Sequence, residues 1–153
     1  MSLLPFQQVV ELHADGVARF LVAQVGADDA DDCLQETLIA AMRAYPALRR
    51  GSNVRAWLYT IARNKALDAH RARGRRAVPV PDLPDREAPA AAESDPVLWE
   101  SVRALPEKQR SAVALRYVGG LSHREIGVAI GCSEDAARQN VRVGLQKLRE
   151  ELT

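Results

Sequence analysis

Leu121-Ser122-His123-Arg124-Glu125-Ile126-Gly127-Val128-Ala129-Ile130-Gly131-Cys132-Ser133-Glu134-Asp135-Ala136-Ala137-Arg138-Gln139-Asn140-Val141-Arg142 reads as two capped helices around a glycine turn. Ser122 and Glu125 have capping-box spacing, in which each side chain satisfies a free backbone N–H of the other residue. The first helix is brief and stops at Gly131. Ser133 caps the second, whose apolar stripe is Ala137, Val141, Leu145, Leu148 and Leu152. A short helix, a turn with glycine and a longer amphipathic helix make a helix-turn-helix. Ile126 and Ile130 are expected to pack on the face of Ala137 and Val141. At about 100° per residue, Asp135, Gln139, Arg142 and Gln146 then point outward, with Arg138 on the flank. The DNA major groove admits one such helix, and arginine and glutamine are side chains that make bidentate contacts to base edges. Glu134 and Asp135 count against DNA locally, because phosphate repels them.

Upstream of this stretch, Pro106 opens a helix carrying Val113, Leu115 and Tyr117, which closes at Gly119-Gly120. Ser94-Asp95-Pro96 is an N-cap followed by proline at the first turn, and starts a short helix with Val97, Leu98 and Val102. Pro79, Pro81, Pro84, Pro89 and Pro96 are five of the eight prolines of the 153-residue chain. Proline removes a backbone donor and disfavours helix at the residue before it, so residues 74–94 read as an extended linker. The linker separates a unit at 1–73 from one at 95–153. Each is near the size at which a lone core is only marginally stable.

The first unit reads as three helices. Phe6, Val9, His13, Val17 and Phe20 recur at helical spacing up to Gly26. Asp28 or Asp29 is expected to cap a second helix, with Leu34, Leu38, Ala41 and Met42 on its apolar side and Pro46 beyond its end. Ser52 or Asn53 is expected to cap a third, with Trp57, Leu58, Ile61 and Leu67 as its buried stripe, running into Arg71, Arg73, Arg75 and Arg76. Strand signals are nearly absent, so the fold class is all-α: two small helical domains on a proline-rich linker.

Charge is segregated although the net charge is only +1: residues 1–48 carry −5, 49–76 carry +8, 77–107 carry −5 and 108–153 carry +3. That pattern suits an acidic protein-binding surface beside a polyanion-binding one. Asp32, Gln35, Glu36 and Ile39 share one helix face, an isoleucine among hydrogen-bonding side chains, as a protein docking patch would. The third helix combines Trp57 and Tyr59 with Arg55, Arg63, Lys65 and Arg71. Aromatic rings that stack on bases and cations that follow the backbone are the general means of holding single strands. Cys33 and Cys132 lie far apart and form no metal-ligand pair, which implies two free thiols in a reducing compartment. No apolar run approaches a membrane span and no leader is evident, so a cytoplasmic protein without membrane insertion is expected. An enzyme reading finds little support. His13, His70 and His123 lie on separate elements, there is no Gly-rich phosphate loop, and no cofactor is implied.

Four motifs in order resemble the sigma-70 family. Asp31-Asp32-Cys33-Leu34-Gln35-Glu36-Thr37 is similar to the polymerase-binding signature of sigma region 2. Trp57-Leu58-Tyr59-Thr60-Ile61-Ala62-Arg63-Asn64 is similar to that region's promoter-melting helix. Leu105-Pro106-Glu107-Lys108-Gln109-Arg110 and the segment from Leu121 to Gly127 are similar to the opening of region 4 and its helix-turn-helix. Having these two regions alone matches the extracytoplasmic-function group.

The resemblance implies that Asp32, Gln35, Glu36 and Ile39 bind core RNA polymerase at the β′ clamp helices, with region 4 near the β flap. It implies −10 recognition and melting by Arg50, Ser52, Asn53, Arg55, Trp57, Arg63, Asn64 and Arg71. Ser122, Arg124, Arg138, Gln139 and Arg142 would serve the −35 element of promoter DNA. An anti-sigma factor is a further implied partner, and the acidic linker is implied to enter the polymerase RNA channel. The final helix departs from the family pattern: Arg138-Gln139-Asn140-Val141-Arg142 stands where Lys-Ser-Arg is common. A stand-alone helix-turn-helix regulator that binds duplex DNA without polymerase is the alternative. Such a protein needs neither the Asp32 face nor the aromatic basic helix.

Overall fold

The computed structural model describes residues 4–75 and 96–152, so residues 76–94 of the proline-rich linker and the Ser94-Asp95 cap lie outside the described residues, while Gly74 and Arg75, assigned to the linker, are helical. Seven α-helices run through the described part: α1 (Phe6–Val25), α2 (Ala27–Ala44), α3 (Val54–Arg75), α4 (Pro96–Arg103), α5 (Glu107–Tyr117), α6 (His123–Ile130) and α7 (Glu134–Leu152). A 3-10 turn at Tyr45–Ala47 follows α2. The described residues contain no strand, in line with the all-α expectation.

Helices α1, α2 and α3 pack together, and so do α5, α6 and α7. Val9, Val17 and Phe20 are buried as their spacing predicts. Other details differ. Gly26 is the N-cap of α2, without a side-chain cap, and Asp28 and Asp29 lie inside its first turn. Carboxylates there still favour the helix through its dipole. The buried line of α2 is Ala30, Cys33, Thr37 and Ala41, with Leu34 and Leu38 on its flank and Met42 55% exposed. Small side chains let α2 lie close to both α1 and α3, so the face of contact is not the most apolar one. The Thr37 hydroxyl is satisfied inside the helix by donating to the Cys33 carbonyl at 2.6 Å. Burial foremost, then the carboxylates of Glu36, Asp29, Asp32 and Asp68, push the Cys33 thiol up to about 11. It stays protonated and acts as a small apolar residue.

In α3 the buried residues are Ala56, Leu58, Tyr59, Ala62 and Ala66, whereas Trp57, Ile61 and Leu67 are only half-buried. Tyr59 packs edge-on against Phe20 with ring centroids 5.7 Å apart, so it belongs to the core and is not a stacking platform. Three further residues assigned to apolar stripes point outward: Val97 of α4, Tyr117 of α5 and Leu152 of α7. Helix α7 buries Ala137, Val141, Gly144 and Leu148. It passes α5 so closely that a Cβ on Gly144 would lie 2.7 Å from Val113 Cγ2.

The two helical groups are in contact. Every residue from Phe20 to Val25 at the end of α1 is buried, as is every residue from Arg110 to Leu115 in α5. A helix covered on one side buries a stripe, not a full turn and a half. These two segments are covered by both groups, through the contacts of α1 with α4 and α5, while α3 meets α6. One core cluster accordingly runs from Val9 through Leu58 to Leu121, Ile126 and Val141.

At this junction His70 donates through Nε2 to the Gln24 carbonyl at 2.6 Å, which sets its tautomer. Burial first, and then the Arg110 charge, hold His70 below its ordinary value of 6.5. Burial and Arg55 act in the same direction on His13. The unfolded chain therefore takes up more protons than the folded one below about pH 6.5. Stability from these groups is complete above that pH and is lost as the pH falls. Thermal melts should show the midpoint declining from about pH 6.5 downward, and His70→Gln should make that decline shallower.

Candidate nucleic-acid and polymerase interfaces

The helix-turn-helix is built by its own local bonds. Ser122 Oγ accepts from the Glu125 N–H at 3.1 Å, and Glu125 Oε1 accepts from the Ser122 N–H at 2.9 Å, completing the expected capping box. Gly131 ends α6 at φ 74°, a conformation that other residues adopt only with strain. The Cys132 N–H then bonds the Gly127 carbonyl at 2.9 Å, and Ser133 Oγ caps α7 by accepting from the Ala136 N–H at 3.1 Å. A Cβ on Gly127 would sit 2.7 Å from the Cys132 carbonyl oxygen, so the turn can close this tightly only over glycine.

Ile126, Ile130, Ala137 and Val141 are buried, which orients α7 as the stripe predicts. Asp135, Gln139, Arg142 and Gln146 are exposed, and Arg138 is exposed beside them. The two acids have a local role: Arg138 pairs with Asp135 Oδ1 at 3.0 Å and Glu134 Oε1 at 3.4 Å. Arg142 donates to Gln139 Oε1 at 2.6 Å. Exposed pairs of this kind are worth at most about 1 kcal/mol, so both guanidiniums are held in place yet easily transferred to a stronger acceptor. Ser122 and Arg124 are exposed at the start of α6.

On α2, Asp32, Gln35, Glu36 and Ile39 are all exposed, on the side of the helix away from Cys33 and Thr37. Met42, which the sequence assigned to the core, is exposed one turn beyond Ile39 and extends the apolar part of this face.

The residues around the start of α3 divide into two sets. Arg50, Asn64 and Arg71 are exposed, and Ser52 is half-buried. Trp57 is half-buried with its ring 6.0 Å from that of Tyr45. Asn53, Arg55 and Arg63 instead engage the other helical group. Asn53 Oδ1 accepts from the Ala56 N–H at 3.0 Å, so Asn53 is the cap of α3, while its Nδ2 donates to Glu125 Oε2 at 3.1 Å. Arg55 donates to the Gly119 carbonyl, and Arg63 pairs with Glu107. Burial alone would raise the Glu125 carboxyl, but hydrogen bonds from the Ser122 backbone, Asn53 and the Ser122 side chain, with Arg55 nearby, outweigh it and hold Glu125 below the usual range. Glu107, Glu125 and Gly119 were not singled out as partners of these residues. Nothing in a single sequence connects positions more than forty residues apart.

Two helical groups, the second ending in a helix-turn-helix with an open face of arginine and glutamine, define a DNA-binding protein of the transcription machinery. The family model for sigma-70 region 2 matches residues 9–76 and that for sigma-70 region 4 matches residues 97–148. The ECF RNA polymerase sigma factor SigD of Mycobacterium tuberculosis is 38% identical, the match covering 95% of this chain and 76% of that protein. The RNA polymerase sigma factor CarQ of Myxococcus xanthus is 36% identical, over 95% of this chain and 87% of that one. Among solved structures, the sigma factor RpoE in complex with the anti-sigma factor NepR from Bartonella quintana matches with a TM-score of 0.80 and 26% identity, over 96% of each chain. The chain belongs to the sigma-70 family, in its extracytoplasmic-function group, and is an RNA polymerase sigma factor.

The cap and the close turn give a direct test of how α6 and α7 are held. Ser122→Ala should lower stability by about 1 kcal/mol. Gly127→Ala should cost about 1–3 kcal/mol because backbone must shift. Urea unfolding of the two variants measures both.

Proposed function

We propose that the chain joins core polymerase through the exposed α2 face and reads a promoter with two separate surfaces. Asp32, Gln35, Glu36 and Ile39 dock on the β′ clamp helices, with region 4 near the β flap. Ser122, Arg124, Arg138, Gln139 and Arg142 serve the −35 element. Arg50, Ser52, Asn53, Arg55, Trp57, Arg63, Asn64 and Arg71 hold the −10 strand as the duplex opens. The observation that carries this division is the outward orientation of two unrelated faces, acidic and apolar on α2 and basic and amide-bearing on α7. A stand-alone duplex-binding regulator accounts for the second face only.

In this reading residues 1–73 and 95–153 are the working domains, joined by 74–94, and the protein acts in the cytoplasm by binding alone, without catalysis. Among the described residues no helix is long and apolar enough to cross a membrane. An anti-sigma factor as partner is supported by the relative from Bartonella quintana, which was captured with one. Transcription in vitro with core polymerase, on promoters mapped after forced expression, tests the whole reading. Loss of any dependence on this chain would overturn it.

Two results are expected at the level of residues. Asp32→Lys with Glu36→Lys should abolish co-purification with core polymerase while the melting temperature barely moves, because both side chains are exposed. Arg142→Ala should weaken binding to duplex −35 DNA by about 1–3 kcal/mol. Asn53→Ala should leave that binding intact and impair strand opening, with rescue on a premelted template.

A further inference from the structure

The link between the 3-10 turn and α3 reads Leu48-Arg49-Arg50-Gly51-Ser52-Asn53 and lies outside every helix. Arg49, Arg50 and Gly51 are exposed and Ser52 is half-buried. The Ser52 N–H donates to the Arg49 carbonyl at 3.2 Å, closing a turn in which Gly51 takes φ 82°. Asn53 already caps α3, so the Ser52 hydroxyl is not needed for that duty. The other described serines differ. Ser122 and Ser133 hold helix caps, Ser111 is fully buried, and Ser101 lies inside α4 beside Glu100. Ser52 is thus the described serine that offers a hydroxyl on an accessible turn, with two arginines just ahead of it.

We propose that Ser52 is a phosphorylation site, written by a serine kinase with an acidic substrate groove, and that phosphate there stops region 2 from capturing the opened strand. This deepens the proposed function, since it rests on Arg50, Ser52 and Asn53 meeting the −10 strand. In the transfer, Ser52 Oγ attacks the γ-phosphorus of ATP and the bond from that phosphorus to the ADP oxygen breaks. The hydroxyl proton passes to a carboxylate of the kinase. Arg49 and Arg50, just ahead of the acceptor, pair with the carboxylates of the groove.

The consequence is electrostatic. Arg49 and Arg50 are the charged residues between Tyr45 and Asn53 and make that segment cationic. A phosphoserine adds about −2 at neutral pH, so the loop becomes roughly neutral. The new oxygens accept from the neighbouring guanidiniums and lie at the N-terminus of α3, where the helix dipole favours an anion. Arg50 is thereby withdrawn from DNA, and the phosphates of an approaching strand meet a like charge. The exposed faces of α2 and α7 carry none of these residues, so polymerase docking and −35 binding are left as they were.

The full chain is incubated with ATP, magnesium and the catalytic subunit of cyclic-AMP-dependent protein kinase, a serine kinase of this specificity, and mapped by peptide mass spectrometry. Phosphate on Ser52 is expected, entering about tenfold more slowly in Arg49→Ala, a change at an exposed residue outside the proposed strand contacts. Phosphoserine installed at position 52 during synthesis supplies a uniform product. With core polymerase this product should co-purify as wild type does and bind −35 duplex equally, yet form about tenfold fewer open complexes. Unlike Asn53→Ala it should stay defective on a premelted template, because the phosphate repels the strand after opening too. The defect should shrink as salt is raised. Thermal melts check the fold, and chain phosphorylated by the kinase after folding carries the same test if the synthetic product misfolds. No phosphate on Ser52, equal rates with Arg49→Ala, or open complexes at the wild-type level overturns the proposal. Transcription by the unmodified chain keeps the two readings apart. Its absence removes the proposed function, whereas its persistence beside an equally active phosphorylated chain removes only the switch.

Discussion

A buried guanidinium is tolerated only when its donors are met, and Arg110 meets that condition through oxygens drawn from both halves of the chain. Gln24 is bound by the same constraint, since a buried primary amide needs both a donor and an acceptor opposite it, and Arg110 offers both. The reciprocal pair sets the register of α1 against α5, and with it the placement of α6 over the start of α3. Around it, Phe20, Leu21, Leu115 and Leu121 are fully buried. Each contributes about 1.5–3 kcal/mol by leaving water, which a half of this size could not gather so completely alone.

The arginines of the two interfaces are paired in different ways. Arginines of α7 that would meet DNA are held by weak local acceptors, Glu134 and Asp135 for Arg138 and Gln139 for Arg142, whereas Arg63 is held by Glu107 of the other helical group. A side chain kept near its working position loses less rotamer freedom on binding than one free in solvent. The acids at the start of α7, which read as an obstacle to phosphate, are accounted for in this way. They also complement the helix dipole. Glu125 serves three neighbours at once: it caps α6, receives Asn53 and lies near Arg55.

Local chemistry was legible wherever the deciding partners are near in sequence. The capping box at Ser122 and Glu125, the stop at Gly131, the Ser133 cap and the inward face of Ala137 and Val141 all depend on residues within a few positions. So does the exposure of Asp32, Gln35, Glu36 and Ile39, which needs only the helical period once the opposite side is buried. The errors share a different cause. Met42 looks like part of a core stripe by apolarity, but close packing selected the small line of Ala30, Cys33, Thr37 and Ala41, leaving Leu34 and Leu38 half-buried on its flank and Met42 exposed. Tyr59 looks like a stacking ring by its basic neighbours, but the space beside Phe20 claimed it.

By itself, then, the sequence determined the helices, the caps at Asn53, Ser122 and Ser133, the helix-turn-helix and the sigma-70 family, because each rests on spacing along one chain. Only the tertiary structure decided that the two halves share a core and that Asn53, Arg55 and Arg63 face Glu125, Gly119 and Glu107. Those pairings join positions 44 to 72 residues apart. Hydrogen bonds and ion pairs form between groups that packing brings within a few ångströms, and no periodicity records which distant turn of helix that will be.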